Sequence, residues 1–166
     1  SNLTTFKMLK RAASLQQITP RAISVLPEER KRVILTVSKL SRAANFRQQV
    51  LRAYGFKCAV TQTQLRLVDA AHILPVGAPG SLDDVRNGIA LSPTYHRAYD
   101  NGLIYLDRSY VMKVNPEKER ELKAISLDGG LSTFKSSLGK IVLPPDRRQW
   151  PDAGLIQRAN GFRRIS

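Results

Sequence analysis

Apolar positions recur at helical spacing through the first third of the chain and then shift to short runs broken by polar turns. Residues 3–17 (LTTFKMLKRAASLQQ) read as a helix ended by Thr19-Pro20. Pro27 with Glu28 and Glu29 opens a second helix, because a first-turn proline is already set for the helix and acids there meet the positive end of its dipole; it is expected to reach about Leu40. A third is expected from Asn45 as cap, with Gln48 three residues on, Val50, Leu51 and Tyr54 at helical spacing, and Gly55 as stop. Residues 56–60 and 65–73 are strand-like and separated by Thr61-Gln62-Thr63-Gln64. Residues 75–81 form a Pro/Gly loop, and residues 89–91 a short strand.

A compact helix follows, with Ser92 as cap, Pro93 in the first turn and Asn101-Gly102 as left-handed stop. His96 and Asp100 lie four residues apart on it, which stacks them on one face. Residues 103–106 and 110–114 are expected to pair as a hairpin around Asp107-Arg108-Ser109, and Asn115-Pro116-Glu117 opens a helix to about Ala124. The tail from Asp128 reads as loop-rich, with a strand at 140–143 and with Trp150 and Phe162 pinning it to the core. This is an α+β pattern. It divides into a basic helical region at 1–44, a core at 45–125 and a basic extension at 126–166 packed on that core.

Charge changes the picture. The 166 residues carry 27 Lys and Arg against 13 Asp and Glu, a net charge of +14, concentrated at 1–54 and 140–166 around a nearly neutral middle. Nucleic acid is the expected partner, since each phosphate neutralised by Lys or Arg releases condensed counterions. The competing reading is an anionic membrane surface met by Lys31-Arg32 beside Val33-Ile34-Leu35. No apolar run approaches the roughly 20 residues of a spanning helix. One cysteine, Cys58, excludes an internal disulfide framework and any multi-cysteine zinc cluster; it reads as a small buried residue. Tyr54, Tyr95 and Tyr99 read as core or groove wall. No Gly-rich phosphate loop is present. Ser1-Asn2-Leu3 opens no signal peptide, and the missing start Met suggests a piece of a longer chain. A cytoplasmic location is expected.

Both histidines fall in one stretch. His72 leaves a strand into the Pro/Gly loop, Asn87 follows 15 residues later, His96 another 9 on and Asp100 another 4. Singly, each histidine is more often a packed or surface residue than a functional one, and a His/Asp pair one turn apart is as often a surface hydrogen bond as a metal site. Order and spacing together change that balance. The text FRQQVLRAYGFKCAVT…DAAHILP…RNGIALSPTYHRAYDNGLIYLD, over residues 46–107, resembles the HNH endonucleases, the ββα-metal nucleases, in the variant of bacterial restriction and phage-defence enzymes.

The resemblance implies a ββα-metal hairpin-plus-helix core flanked by the N-terminal helical region and by a further β-hairpin and helix. It implies hydrolysis of DNA phosphodiester bonds with 5′-phosphate and 3′-hydroxyl products, on double-stranded DNA. His72 is the expected general base, His96 a metal ligand, and Asn87 a brace for the loop that keeps the His72 ring oriented. Relatives carry a ligand immediately before the base, where this chain has Ala71; Asp69, two residues earlier, is the replacement candidate. Asp69, His96 and Asp100 would together hold one divalent ion, Mg²⁺ by default, with Mn²⁺ or Ni²⁺ as substitutes. Arg47, Arg52, Arg86 and Arg97 are the expected DNA-binding cations. Rival readings are a non-catalytic DNA-binding module, and an effector domain activated by a partner or second-messenger domain. A separate recognition or sensor domain and a homodimer fit the same resemblance.

Overall fold

The computed structural model describes residues 23–165, so the helix expected at 3–17 lies outside the described residues. The chain divides into compact units at 1–45 and 46–166. Helix α1 runs unbroken from Glu28 to Ala53, where two helices were expected. Nothing in Ser41-Arg42-Ala43-Ala44-Asn45 breaks a helix: no Pro or Gly intervenes, and Asn45 is tolerated inside at a small propensity cost. The stop at Gly55 does hold. Its φ is +61°, its N–H donates to Arg52 O at 3.0 Å, and the Phe56 N–H donates to Leu51 O at 2.7 Å, the paired bonds of a Schellman end.

The expected strands at 56–60 and 65–73 shrink to β1, Asp69–His72. Residues 54–68 are turns, with left-handed backbone at Phe56, Gln62, Leu65 and Arg66, which no regular strand accommodates. One bond survives as a vestige of pairing, the Ala59 N–H to Ala90 O at 2.8 Å. Strand β2, Gly88–Leu91, pairs antiparallel with β1 in the register Asp69↔Leu91 to His72↔Gly88. Helix α2, Pro93–Asp100, packs on both strands. Ser92 caps it through backbone position alone, and Gly102, at φ +72°, ends it.

Strands β3, Ile104–Leu106, and β4, Met112–Val114, form the expected second hairpin. Helix α3, Pro116–Ala124, starts with the Asn115 carboxamide accepting from the Glu117 N–H. Beyond it the tail is more ordered than its composition suggested. Helix α4 spans Leu131–Ser136, and α5 spans Ala153–Phe162 behind an Asp152 cap that accepts from the Leu155 N–H. Residues 140–143 make one isolated bridge, Val111↔Lys140, and no strand. Phe162 is 57% exposed and does not pin the tail; Leu155, Ile156 and Ala159 on the other face of α5 do. Trp150 does hold, with Nε1 donating to Pro144 O at 2.7 Å and its ring edge-on to Tyr110.

The core of the second unit lies between α1, the β1–β2 hairpin, α2 and α5, with Val50, Ile73, Ile89, Leu91, Tyr99 and Ile156 fully buried. Cys58, Tyr54 and Tyr95 are buried as expected. Gly88 is required by close approach: a Cβ there would overlap Val50 Cγ2 and crowd the Phe46 ring. That glycine lets α1 lie against the face of the hairpin carrying His72, its cross-strand partner.

Candidate active site at the hairpin and helix α2

Asp69 and His72 stand at the two ends of β1, and the neighbouring α1 residues Arg47 and Phe46 reach one each. The His72 ring stacks on Phe46, with centroids 3.9 Å apart and planes 15° from parallel. Its Nε2 lies 2.9 Å from Asp83 Oδ1. A carboxylate accepts a proton there and cannot donate one, which selects the Nε2–H tautomer and leaves the Nδ1 lone pair as the basic site.

Asn87 is fully buried and holds the loop that follows His72. Its Oδ1 accepts from the Leu74 N–H at 2.9 Å. Its Nδ2 donates to Leu82 O at 2.9 Å and to Leu74 O at 3.2 Å. One side chain thus ties the strand exit at Leu74 to the stretch that carries Asp83, with both donor and acceptor used. The Ile73 carbonyl, next to His72, receives two more donors: Tyr99 OH from α2 at 3.3 Å and Arg163 Nη1 from α5 at 3.0 Å. Burial raises the Tyr99 hydroxyl above its ordinary pKa, against the opposing pull of Arg163. The Arg163 guanidinium also lies 4.3 Å from the Tyr99 ring centre, a cation–π contact.

On α2, His96 stands between two carboxylates. Its Nδ1 is 3.2 Å from Asp69 Oδ2, and its Nε2 is 3.2 Å from Asp100 Oδ2. Arg47 Nη1 approaches Asp69 Oδ1 at 3.8 Å. The structure therefore brings Asp69 and Asp100 to the two nitrogens of His96. It sets the carboxylates at opposite edges of the ring, however, and an imidazole offers an ion only one nitrogen. Among the described residues no group of three His, Cys, Asp or Glu side chains is arranged to hold a metal. In this arrangement His96 and one carboxylate form a two-donor set, an imidazole nitrogen with carboxylate oxygen, that suits a divalent cation completed by water.

The four arginines separate. Arg47 lies at the site. Arg86 binds Asp152 at 3.0 Å and fastens the cap of α5 beside Asn87. Arg97 lines a cleft of about 750 Å³ among α2, α3 and α4, and Arg52 one of about 600 Å³ with Tyr54 and Val142. Asp83, Phe46 and Arg163 went unassigned on sequence, and Tyr99 was read as core or groove wall without its bond to Ile73 O. Only Asp83 left a trace there, as an acid in the segment between His72 and Asn87.

A hairpin leaving a histidine at its first strand's end, an asparagine latch before its second strand and a histidine on the following helix is the arrangement that the HNH resemblance implies. Residues 58–107, spanning β1 to β3, match the HNH endonuclease family. Among solved structures, a modification dependent TagI restriction endonuclease shares the fold, with a TM-score of 0.52 and 19% identity. The match covers 74% of this chain and 38% of that one, so the present chain spans well under half of its length. No curated protein matches the chain significantly. Among the described residues no helix is long and apolar enough to cross a membrane.

Proposed function

We propose that this chain is a divalent-metal-dependent endonuclease that hydrolyses DNA phosphodiester bonds, acting in restriction or phage defence in the cytoplasm. The observation that carries the reading is the His72–Asp83 pair at 2.9 Å, which frees Nδ1 as a base inside an HNH segment. His72 Nδ1 takes a proton from water, the resulting hydroxide attacks phosphorus, and the P–O3′ bond breaks to leave a 5′-phosphate and a 3′-hydroxyl. Asp83 steadies the imidazolium that forms, as a fixed carboxylate beside a histidine does. Asn87 keeps the loop, and with it the ring, in place. His96 with Asp69 or Asp100 would hold the ion, Mg²⁺ by default and Mn²⁺ or Ni²⁺ in substitution. When bound, the ion supplies positive charge to the crowded phosphate oxygens.

Arg47 stands at the site, and the chain's net charge of +14 favours a polyanion held with strong salt dependence. The neighbouring structure is that of a modification-dependent restriction enzyme, and dependence on DNA modification, with a separate recognition domain, is part of the proposal. The test is a divalent-ion panel on plain and cytosine-modified plasmid, with His72→Ala beside the parent and sequencing of the cut ends. Cutting that needs the ion and vanishes in His72→Ala, while DNA is still retained, is the expected result. Unchanged cutting by His72→Ala overturns the base assignment. Cutting that appears only when this segment sits in a longer protein favours the effector-domain reading.

A further inference from the structure

Two exposed leucines stand on the turn at 64–67, and Phe56 is exposed just past the end of α1. Leu65 is 77% exposed, Leu67 53% and Phe56 48%. Scattered exposed leucines need no explanation, but here exposure coincides with unfavourable backbone. Phe56, Leu65 and Arg66 have φ of 57°, 45° and 56°, a region that side-chain-bearing residues other than Asn and Asp rarely enter. Such outliers concentrate where a side chain is held out for use. The turn is fastened to the end of α1 by Gln64 Nε2, which donates to Gly55 O at 3.0 Å.

The turn forms one wall of a cleft of about 510 Å³ with an apolar floor of Leu51 and Val68, and Arg47, Gln48, Gln64 and Arg66 are among its other lining residues. Arg47 belongs both to this wall and to the nuclease site, through Asp69. An apolar knob ringed by cations and carboxamides suits one occupant. Apolar side chains wedge between base pairs, arginines meet the phosphates on either side, and glutamines reach base edges. A protein partner would match the apolar surface but would have no use for two arginines unless it were itself strongly acidic.

We propose that Leu65 is a wedge that enters between adjacent base pairs of duplex DNA next to the bond offered to the nuclease site, with Arg47 and Arg66 on the flanking phosphates. The proposal rests on the DNA reading of the site and adds distortion of the substrate to it. The wedge unstacks the step it enters and bends the duplex, and steps that unstack easily are then preferred for cutting.

The test uses duplexes carrying one 2-aminopurine at successive positions, whose fluorescence rises on unstacking, with the full chain in EDTA so that no cutting occurs. Leu65→Asn is the variant, since Asn tolerates the left-handed backbone and removes the apolar knob. Ile125→Asn, at an exposed apolar residue outside the cleft, is the control. The parent and the control should raise fluorescence at one or two positions, and Leu65→Asn should lose that rise while keeping its DNA affinity within about threefold, since phosphate contacts supply most of it. Arg66→Ala should lower the slope of log affinity against log salt by about one. A parent that binds DNA without unstacking it, or a Leu65→Asn variant that unstacks it equally, overturns the wedge and leaves the nuclease proposal standing. A parent that binds no DNA overturns both.

Discussion

Asn87→Ala is the most direct test of how the fold holds its candidate base. The side chain is fully buried and makes its bonds to backbone groups of two segments, Leu74 on one side and Leu82 on the other. Truncation strands the Leu74 N–H and the Leu82 carbonyl. The Leu74 carbonyl keeps the Ser81 hydroxyl as donor at 2.9 Å. The stranded, buried Leu74 N–H costs about 1–3 kcal/mol, and the Leu82 carbonyl, on a residue 56% exposed, adds less because water can reach it. Relaxation of the loop, or a water entering the space, returns part of this, and a loss of about 1–3 kcal/mol is expected. The assay is urea unfolding with an unchanged m-value, so that the midpoint shift reports stability alone. Asn87→Asp sharpens the argument. It keeps an acceptor for the Leu74 N–H but turns a buried negative oxygen toward the Leu82 and Leu74 carbonyls, so it should cost as much as Ala or more despite near-identical shape. Either variant unfolding within about 0.5 kcal/mol of the parent, the ordinary range for surface substitutions, would refute the latch.

Other consequences follow from the same structure. Gly88→Ala drives a methyl into Val50 Cγ2 and should cost about 1–3 kcal/mol; Val50→Ala in the same chain should recover part of it, and additive losses in a double-mutant cycle would refute the close-approach argument. Arg163→Met removes a charged donor from Ile73 O and should lower kcat for plasmid nicking more than it changes KM, with Arg163→Lys partly restoring it; a change in KM alone would assign Arg163 to DNA binding instead. Burial pushes the Asp107 carboxyl up, but Lys113 and the Val111 and Ser109 N–H groups outweigh it and hold the group below the usual 3.8. A depressed folded-state value stabilises the fold above pH 4 and is lost as pH falls through it, so the stability gap between parent and Asp107→Asn should narrow in acid; a gap independent of pH would refute the assignment.

Local grammar was legible where a few neighbouring residues decide the outcome. The Asn115-Pro116 start of α3, the Ser92-Pro93 start of α2 and the stops at Gly55 and Gly102 all stand where turn and cap chemistry set them. The resemblance that spacing supported also stands, with residues 58–107 matching the HNH family. Reasoning from local pattern failed where it inferred a break without a breaker, at 40–45, and strand where left-handed residues intervene, at 56–68. It missed α5 because the Gly154 and Gly161 in that helix read as loop, while its burial of Leu155 and Ile156 depends on a surface supplied by distant chain.

What the sequence determined by itself is the set of chemical groups and some of their local settings: two imidazoles, an amide and carboxylates at fixed spacing, with His72 leaving a strand and His96 on a capped helix. Tertiary structure alone decided which group meets which. Asp83 meets His72 across 11 residues, Asp69 meets His96 across 27, and Arg163 reaches Ile73 across 90. A hydrogen bond is won within about 3 Å, and no periodicity along a chain encodes approach on that scale between segments so far apart. Only the packing of α1, α2 and α5 around a four-residue strand brings them there.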